Sequence, residues 1–131
     1  FVTPDNKRYA YNDCALPIEC QQTISQPYIV AIMTMAVSPK KDSKVLEVGT
    51  CSVYHCAVLA NRGKKVYSVE LLEPLSKNAQ RRLISMGYKN ITFKVNLRTY
   101  DAKFICNSLH VRHTGNIIEF WIKILFQRNG C

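Results

Sequence analysis

The sequence predicts an α/β fold built on a mostly parallel, doubly wound sheet, and three observations carry the prediction. Strand-like apolar runs at residues 44–48, 65–69 and 91–95 alternate with helical apolar patterns at 52–61 and 73–86. The first run stops at Gly49, where a residue without Cβ lets the backbone turn sharply and approach a ligand. The second is closed by an acidic residue, Glu70. Strand, helix, strand, helix, strand in that order is half of a doubly wound sheet with right-handed crossovers, and such sheets bind ligands beyond the carboxyl ends of their strands.

Each element has its own signals. Residues 1–23 carry few periodic apolar positions and contain Pro4, Asn12-Asp13 and Pro17, so they read as an irregular arm with one short extended piece. Ser25 followed by Pro27 gives a helix start, an N-cap hydroxyl with proline in the first turn. Ile29, Val30, Met33 and Val37 place one face of that helix on a core, and Ser38-Pro39 ends it. Strand 44–48 follows, then a helix over 52–61 with Val53, Cys56, Ala57 and Ala60 on one side, stopped by Gly63. After strand 65–69, a helix over 73–86 turns Leu75, Ala79, Leu83 and Met86 inward and ends at a left-handed Gly87. Residues 91–95 alternate as a third strand. Beyond them, 103–106 is a candidate fourth strand, and 117–126 is a helix or a buried strand, with positions 117, 118, 121, 122 and 125 favouring helix.

Composition bounds the function. A chain of 131 residues fits one domain with a real core. No apolar run reaches the ~18 residues that span a bilayer; the longest, 117–126, is broken by Glu119 and Lys123, so no membrane role is expected. Eighteen Lys and Arg against nine Asp and Glu give a net charge of +9, which favours encounter with acidic partners. The cations are scattered (Lys40, Lys41, Lys44; Lys64, Lys65; Arg81, Arg82) without a nucleic-acid module between them. They read as a solvated surface, and no nucleic-acid partner is expected. Six cysteines without a secretion signal or a CxxC pair read as reduced thiols. Cys106, His110 and His113, and Cys51, His55 and Cys56, have ligand-like spacings but lack the two clean pairs of a closed zinc site, so no metal is expected. Phe1 in place of a methionine, with no basic and then apolar leader, reads as a fragment rather than a secreted precursor, and the expected location is cytoplasmic.

Two stretches are more specific than any of this. Gln22-Thr23-Ile24-Ser25-Gln26-Pro27-Tyr28-Ile29-Val30-Ala31 is followed, after a short interval, by Val45-Leu46-Glu47-Val48-Gly49-Thr50. Tyr67-Ser68-Val69-Glu70, Leu83-Ile84-Ser85-Met86-Gly87-Tyr88 and Asn90-Ile91-Thr92 continue the pattern. Over residues 1–95 the chain resembles the protein-L-isoaspartate O-methyltransferase family of class I S-adenosylmethionine-dependent methyltransferases. The resemblance implies a Rossmann-like methyltransferase fold, incomplete on its C-terminal side. It implies one methyltransferase-like domain over 1–131, with an arm at 1–23, a recognisable core at 24–95 and a divergent tail at 96–131.

The resemblance also implies a reaction. A methyl group passes from S-adenosylmethionine to the free carboxyl of isoaspartyl (or D-aspartyl) residues in damaged proteins or peptides, a protein-repair activity carried out by a monomer. Ser25 matches the serine of the family's active-centre segment and is the catalytic candidate, positioning the substrate carboxylate. Thr23, Ile24, Glu47, Gly49, Thr50, Ser52, Glu70 and Leu71 are the cofactor-binding candidates. Thr50 and Ser52 offer donors to the amino-acid tail, and Glu70 offers a carboxylate to the ribose hydroxyls. The carboxylate is already ionised at neutral pH, so alignment and exclusion of water carry the rate rather than a strong base.

Several glycines of the family pattern are absent. Where it reads Glu-x-Gly-Thr-Gly-Ser-Gly-Tyr this chain has Cys51 and Val53, and where it reads Pro-Ile-Gly-x-Gly-Gln-Thr the chain has Glu19 and Gln21. His55-Cys56 replaces Gln-Ala, and the Gly-Asp-Gly after the third strand has no match. A non-glycine residue in a left-handed conformation costs about 1–2 kcal/mol, and a Cβ there is expected to project into cofactor space. These departures keep open an alternative, a catalytically inactive methyltransferase-like remnant or binding module. A third reading is a basic interaction protein using the tail from Lys103.

Overall fold

The structure, a computed structural model, describes residues 1–95. The expected elements at 103–106 and 117–126, and Cys106, His110 and His113, lie outside the described residues. Strands β3 (Lys44–Val48), β4 (Lys65–Glu70) and β5 (Ile91–Val95) form one parallel sheet in the order β3-β4-β5. Lys44 pairs with Lys65, and Val66 pairs with Ile91. Helix α2 (Tyr54–Arg62) links the first two strands and α3 (Glu73–Ser85) the last two, as the sequence predicts.

Alternation along the strands decides what is buried. Val45 and Val66 point to the face where α2 and α3 pack, and with Val53, Cys56, Ala57, Leu59, Ala60, Ala79 and Leu83 they make one continuous core. On the other face Leu46, Val48 and Tyr67 are half-buried, and Thr92 and Lys94 are exposed. Helix α1 (Pro27–Val37) packs beside α2 through a narrow stripe, burying Val30 and Met33 while Tyr28, Ile32 and Met35 stay exposed.

The arm is more ordered than its composition suggests. Two two-residue strands, β1 (Leu16–Pro17) and β2 (Thr23–Ile24), pair antiparallel with Leu16 opposite Ile24. Short 3-10 turns at Pro4–Tyr9 and Glu19–Gln21 complete it. Two other expectations are corrected. Helix α2 begins at Tyr54 rather than 52, because Val53 takes a left-handed φ of +68° that no helix accommodates. Gly63 ends α2 as expected, in extended conformation (φ −99°), with β4 starting two residues later. Met86 lies past the end of α3 and is half exposed, while Gly87 does take the left-handed conformation, at φ +85°.

The C-terminal end of α2 is closed from a distance. The side-chain amide of Asn90, one residue before β5, donates to the carbonyls of Ala60 (2.8 Å) and Gly63 (3.3 Å), two acceptors that the ended helix leaves without intrahelical partners. Asn90→Ala is expected to lower stability by about 1–2 kcal/mol in urea denaturation, with no change in the slope of the transition.

Candidate functional site

The candidate site is at the carboxyl edge of the sheet, where the turn after β3 is tied to β4. The amides of Gly49 and Thr50 both donate to the Val69 carbonyl, at 2.7 and 3.2 Å. Beneath them runs a buried side-chain chain. The Ser68 hydroxyl donates to Glu47 Oε2 at 2.6 Å and, having a single proton, accepts from Thr50 Oγ1 at 2.7 Å. Ser68 is fully buried, and Thr50 and Glu47 are nearly so. The other carboxylate oxygen of Glu47 lies 3.7 Å from Nδ1 of buried His55, on the first turn of α2.

Glu70, the last residue of β4, braces the same turn from its outer side. Its Oε2 accepts from the Cys51 amide at 2.9 Å, and its Oε1 from the amides of Leu71 and Leu72 at 2.8 and 3.1 Å. A carboxylate offers about four acceptor positions, so Glu70 keeps capacity for a further donor. Leu71 beside it is 68% exposed, an apolar surface next to an acceptor carboxylate.

The turn follows a glycine's path with other residues in place. Gly49 has φ +87°, Cys51 +52° and Val53 +68°; in the arm, Cys20 and Gln21 sit at +57° and +55°. The expectation that both Cβ atoms enter cofactor space is corrected for Val53. That side chain is fully buried in the core, so its methyl groups pack against α2 and the sheet. Cys51 instead directs its thiol towards the arm, donating to the Thr23 carbonyl at 3.1 Å. This contact joins the Gly49–Val53 turn to the Thr23-Ile24-Ser25 segment.

Within that segment Ile24 is buried, Thr23 is exposed and Ser25 is half-buried between β2 and α1. The capping expected of Ser25 is corrected: the N-cap of α1 is Gln26, with no side-chain cap bond of its own. Asp13 does that work from the arm. Its Oδ1 accepts from the Tyr28 amide at 2.9 Å and its Oδ2 from Gln26 Nε2 at 3.2 Å. A carboxylate suits this place because it meets the positive end of the helix dipole. The Ser25 hydroxyl is thereby left with no hydrogen-bond partner among the described residues.

The structure thus brings Thr23, Ile24, Gly49, Thr50, Ser52 and Glu70 into neighbouring segments at one edge, with Ser25 and Leu71 flanking them. Of the donors expected from the turn, Thr50 has its amide and its hydroxyl committed inside the protein, while Ser52 is buried. A small open cleft of ≈ 30 Å³ beside the turn is lined by residues that include Ile18, Glu19, Cys51, Ser52, Leu75 and Asn78, and by neither Ser25 nor Glu70. Among the described residues no three His, Cys, Asp or Glu side chains are placed to hold a metal ion, and Cys56 faces the core.

Sequence reasoning missed Ser68 and Asp13. Ser68 had a weak signal, a small polar residue two places before Glu70 on the core-facing side of a strand. Asp13 had none, because its helix begins fourteen residues later.

A parallel sheet whose first strand leads into a glycine-started turn, with a carboxylate closing the next strand, is the class I S-adenosylmethionine-dependent methyltransferase fold. Solved structures agree. A protein-L-isoaspartate O-methyltransferase superposes with a TM-score of 0.61 at 30% identity, over 68% of this chain and 30% of that one. The tRNA (m1A58) methyltransferase TrmI of Aquifex aeolicus gives 0.54 at 29% identity, over 65% of this chain and 34% of that one.

The chain belongs to the family described as protein-L-isoaspartate(D-aspartate) O-methyltransferase, whose sequence profile matches residues 1–102. The protein-L-isoaspartate O-methyltransferase of Dictyoglomus turgidum is 50% identical over 95 residues, 72% of this chain and 43% of the relative. That of Synechococcus sp. is 53% identical over 91 residues, 70% of this chain and 37% of the relative. The chain spans less than half the length of these relatives.

The division of labour between Asp13 and Ser25 is testable. Asp13→Ala is expected to cost about 1 kcal/mol in thermal or urea unfolding, and Ser25→Ala to stay within about 0.5 kcal/mol. Equal losses would mean that the serine hydroxyl caps α1 after all.

Proposed function

We propose that this chain carries the cofactor-binding part of a protein-L-isoaspartate (D-aspartate) O-methyltransferase, acting on isoaspartyl residues of damaged proteins and peptides. The observation that carries the proposal is the junction of two segments. The Cys51 thiol on the Thr23 carbonyl, at 3.1 Å, holds the family's active-centre segment against the turn that begins at Gly49.

S-adenosylmethionine, when bound, would supply a sulfonium methyl that a carboxylate oxygen attacks, forming a methyl ester and displacing S-adenosylhomocysteine as the leaving group. The residues present suit that cofactor. Glu70 has acceptor capacity for a ribose hydroxyl, and exposed Leu71 offers a flat base an apolar surface. The main chain from Gly49 to Ser52 borders the amino-acid tail, with Thr50 and Glu47 fixing its path from below. Thr23 and Ile24 wall the pocket beside the methyl group. Ser25 supplies the hydroxyl that orients the substrate carboxylate, and the absence of a hydrogen-bond partner for it among the described residues supports that role. No proton need move, so orientation and exclusion of water are what these residues contribute.

On this reading residues 1–131 form one methyltransferase-like domain, acting as a monomer in the cytoplasm on polypeptides and not on nucleic acid. In keeping with this, no helix among the described residues is long and apolar enough to cross a membrane. The left-handed backbone at residues 51 and 53 favours the enzyme over an inactive remnant, because the path that suits the cofactor is kept although the glycines are not.

Calorimetric titration of the chain with S-adenosylhomocysteine is expected to give micromolar binding, and a methyl-transfer assay on an isoaspartyl peptide to give turnover. Ser25→Ala should lower that turnover about a hundredfold while leaving cofactor affinity unchanged. A folded chain that binds no S-adenosylhomocysteine would defeat the reading. In urea denaturation Cys51→Gly is expected to change stability by no more than about 1–2 kcal/mol, the left-handed strain it relieves being offset by the lost thiol bond to Thr23. Val53→Gly should instead destabilise the fold, since it empties a core position.

A further inference from the structure

Five of the cations that look scattered in the sequence, Lys40, Lys41, Lys44, Lys64 and Lys65, are gathered by the fold at the end of the sheet opposite the candidate site. Lys40, Lys41 and Lys44 lead into β3, Lys64 and Lys65 lead into β4, and Lys89 leads into β5. Parallel pairing sets Lys44 directly beside Lys65. The three segments are tied together by main-chain bonds: Lys64 and Lys65 donate to the Ser43 carbonyl at 2.8 and 3.3 Å, and Val66 to the Asn90 carbonyl at 2.9 Å. Arg62, at the end of α2, joins the group, and Asp42 is the one acid in these segments. All but half-buried Lys65 are exposed, and none is ion-paired to a described residue. At the carboxyl end Glu47 and Glu70 are buried, and Glu73 is paired with Lys77 at 2.7 Å.

We propose that this basic end is a docking surface for acidic segments of the polypeptide substrate, separate from the site that receives the isoaspartyl residue. The proposal rests on the methyltransferase reading for the nature of the partner. Conversion of asparagine to isoaspartate replaces a neutral amide by a carboxylate, so each lesion makes the damaged protein more acidic. A cluster of exposed ammonium groups attracts such proteins at long range. Methylating one lesion neutralises that carboxylate alone, and the other acidic groups keep the substrate on the surface.

The chemistry of the surface favours polypeptide over nucleic acid. Among the described residues it offers no exposed ring for base stacking, since Tyr88 is half-buried with its hydroxyl accepting from Asn61. Six of its seven cations are lysines, which act as point charges and lack the guanidinium fork that pairs with phosphate. Ile84 and Met86, exposed by 62% and 51% at the end of α3 near Lys89, add apolar contacts suited to side chains.

Geometry makes the idea specific. The six residues of β4 separate the two ends by roughly 20 Å, which an extended peptide covers in about six residues and, around the surface, in about ten. Acidic groups should therefore help most when placed about ten residues from the isoaspartate.

The test uses the full chain and two fluorescent isoaspartyl peptides of equal length, one with a run of glutamates about ten residues from the isoaspartate and one with serines there. Anisotropy at low salt should give at least tenfold tighter binding of the glutamate peptide. The advantage should vanish at high salt and in the triple variant Lys41→Glu, Lys64→Glu, Lys89→Glu. Binding of S-adenosylhomocysteine should be unaltered by these substitutions, which lie at the far end of the sheet. The milder triple Lys→Gln variant at the same positions should lose most of the advantage, and it serves if the Glu variant fails to fold. Equal affinity for the two peptides, an advantage that survives the substitutions, or tighter binding of a short DNA duplex at matched charge would overturn the proposal. Absence of methyl transfer to both peptides would count against the methyltransferase reading and not against the surface, which anisotropy reads without turnover.

Discussion

The Ser68 hydroxyl is the point on which the arrangement of the site depends. It stands fully buried in the middle strand, giving its proton to Glu47 and taking one from Thr50. Glu47 is a nearly buried carboxylate, and such a group stays in a fold only when its oxygens are satisfied. With Ser68 on one oxygen and His55 near the other, it ties β3 to both β4 and α2. Thr50 hangs from the same hydroxyl, so the path of the turn is set by the register of the sheet beneath it. Glu70 then fastens the outer side through the Cys51 amide, and the turn is held from below and from the flank.

That double fastening explains how the backbone keeps left-handed residues that are not glycine. Each costs about 1–2 kcal/mol, and a β-branched residue such as Val53 is the least suited to it. Val53 recovers the cost locally, since full burial of a valine side chain contributes about 1.5–3 kcal/mol. Cys51 has no such burial; its thiol bond to Thr23 and its amide bond to Glu70 hold it instead. Strain of this kind persists where the surroundings over-determine the conformation. Here the surroundings are the two segments that have to meet for the site to exist.

Strands β3 and β5 were legible to the residue because each is a short apolar run bounded by polar turns, and local pattern alone decides such an element. The start of α2 was misread by two residues because helical periodicity includes Val53 as an inward position, which it is, without reporting that its φ is positive. The β1–β2 hairpin was legible only as one short extended piece in the arm, since strands of two residues have no period to detect. Thr23, Ile24, Gly49 and Glu70 could be named because they fall in local motifs at strand ends and turns. Ser68 and Asp13 could not, because the work of each depends on a group that only the folded chain brings near. The lysines are a further case: three clusters spaced over fifty residues become one surface once parallel register aligns the strand starts.

Two helices in this structure are closed by side chains remote in sequence, and this couples stability to the site. Asp13 satisfies the start of α1 from the arm, and Asn90 satisfies the end of α2 from the entry to β5. Helices this short are marginal alone, and a remote cap makes each depend further on the chain having already folded around it. For α1 the dependence has a chemical consequence. A serine just before the helix would ordinarily spend its hydroxyl on the first-turn amides. Because Asp13 occupies that role, the Ser25 hydroxyl is not spent on the first turn of α1 and has no hydrogen-bond partner among the described residues. The arm therefore supplies more than irregular chain: through one carboxylate it caps α1 and leaves the Ser25 hydroxyl, just after β2, uncommitted among the described residues.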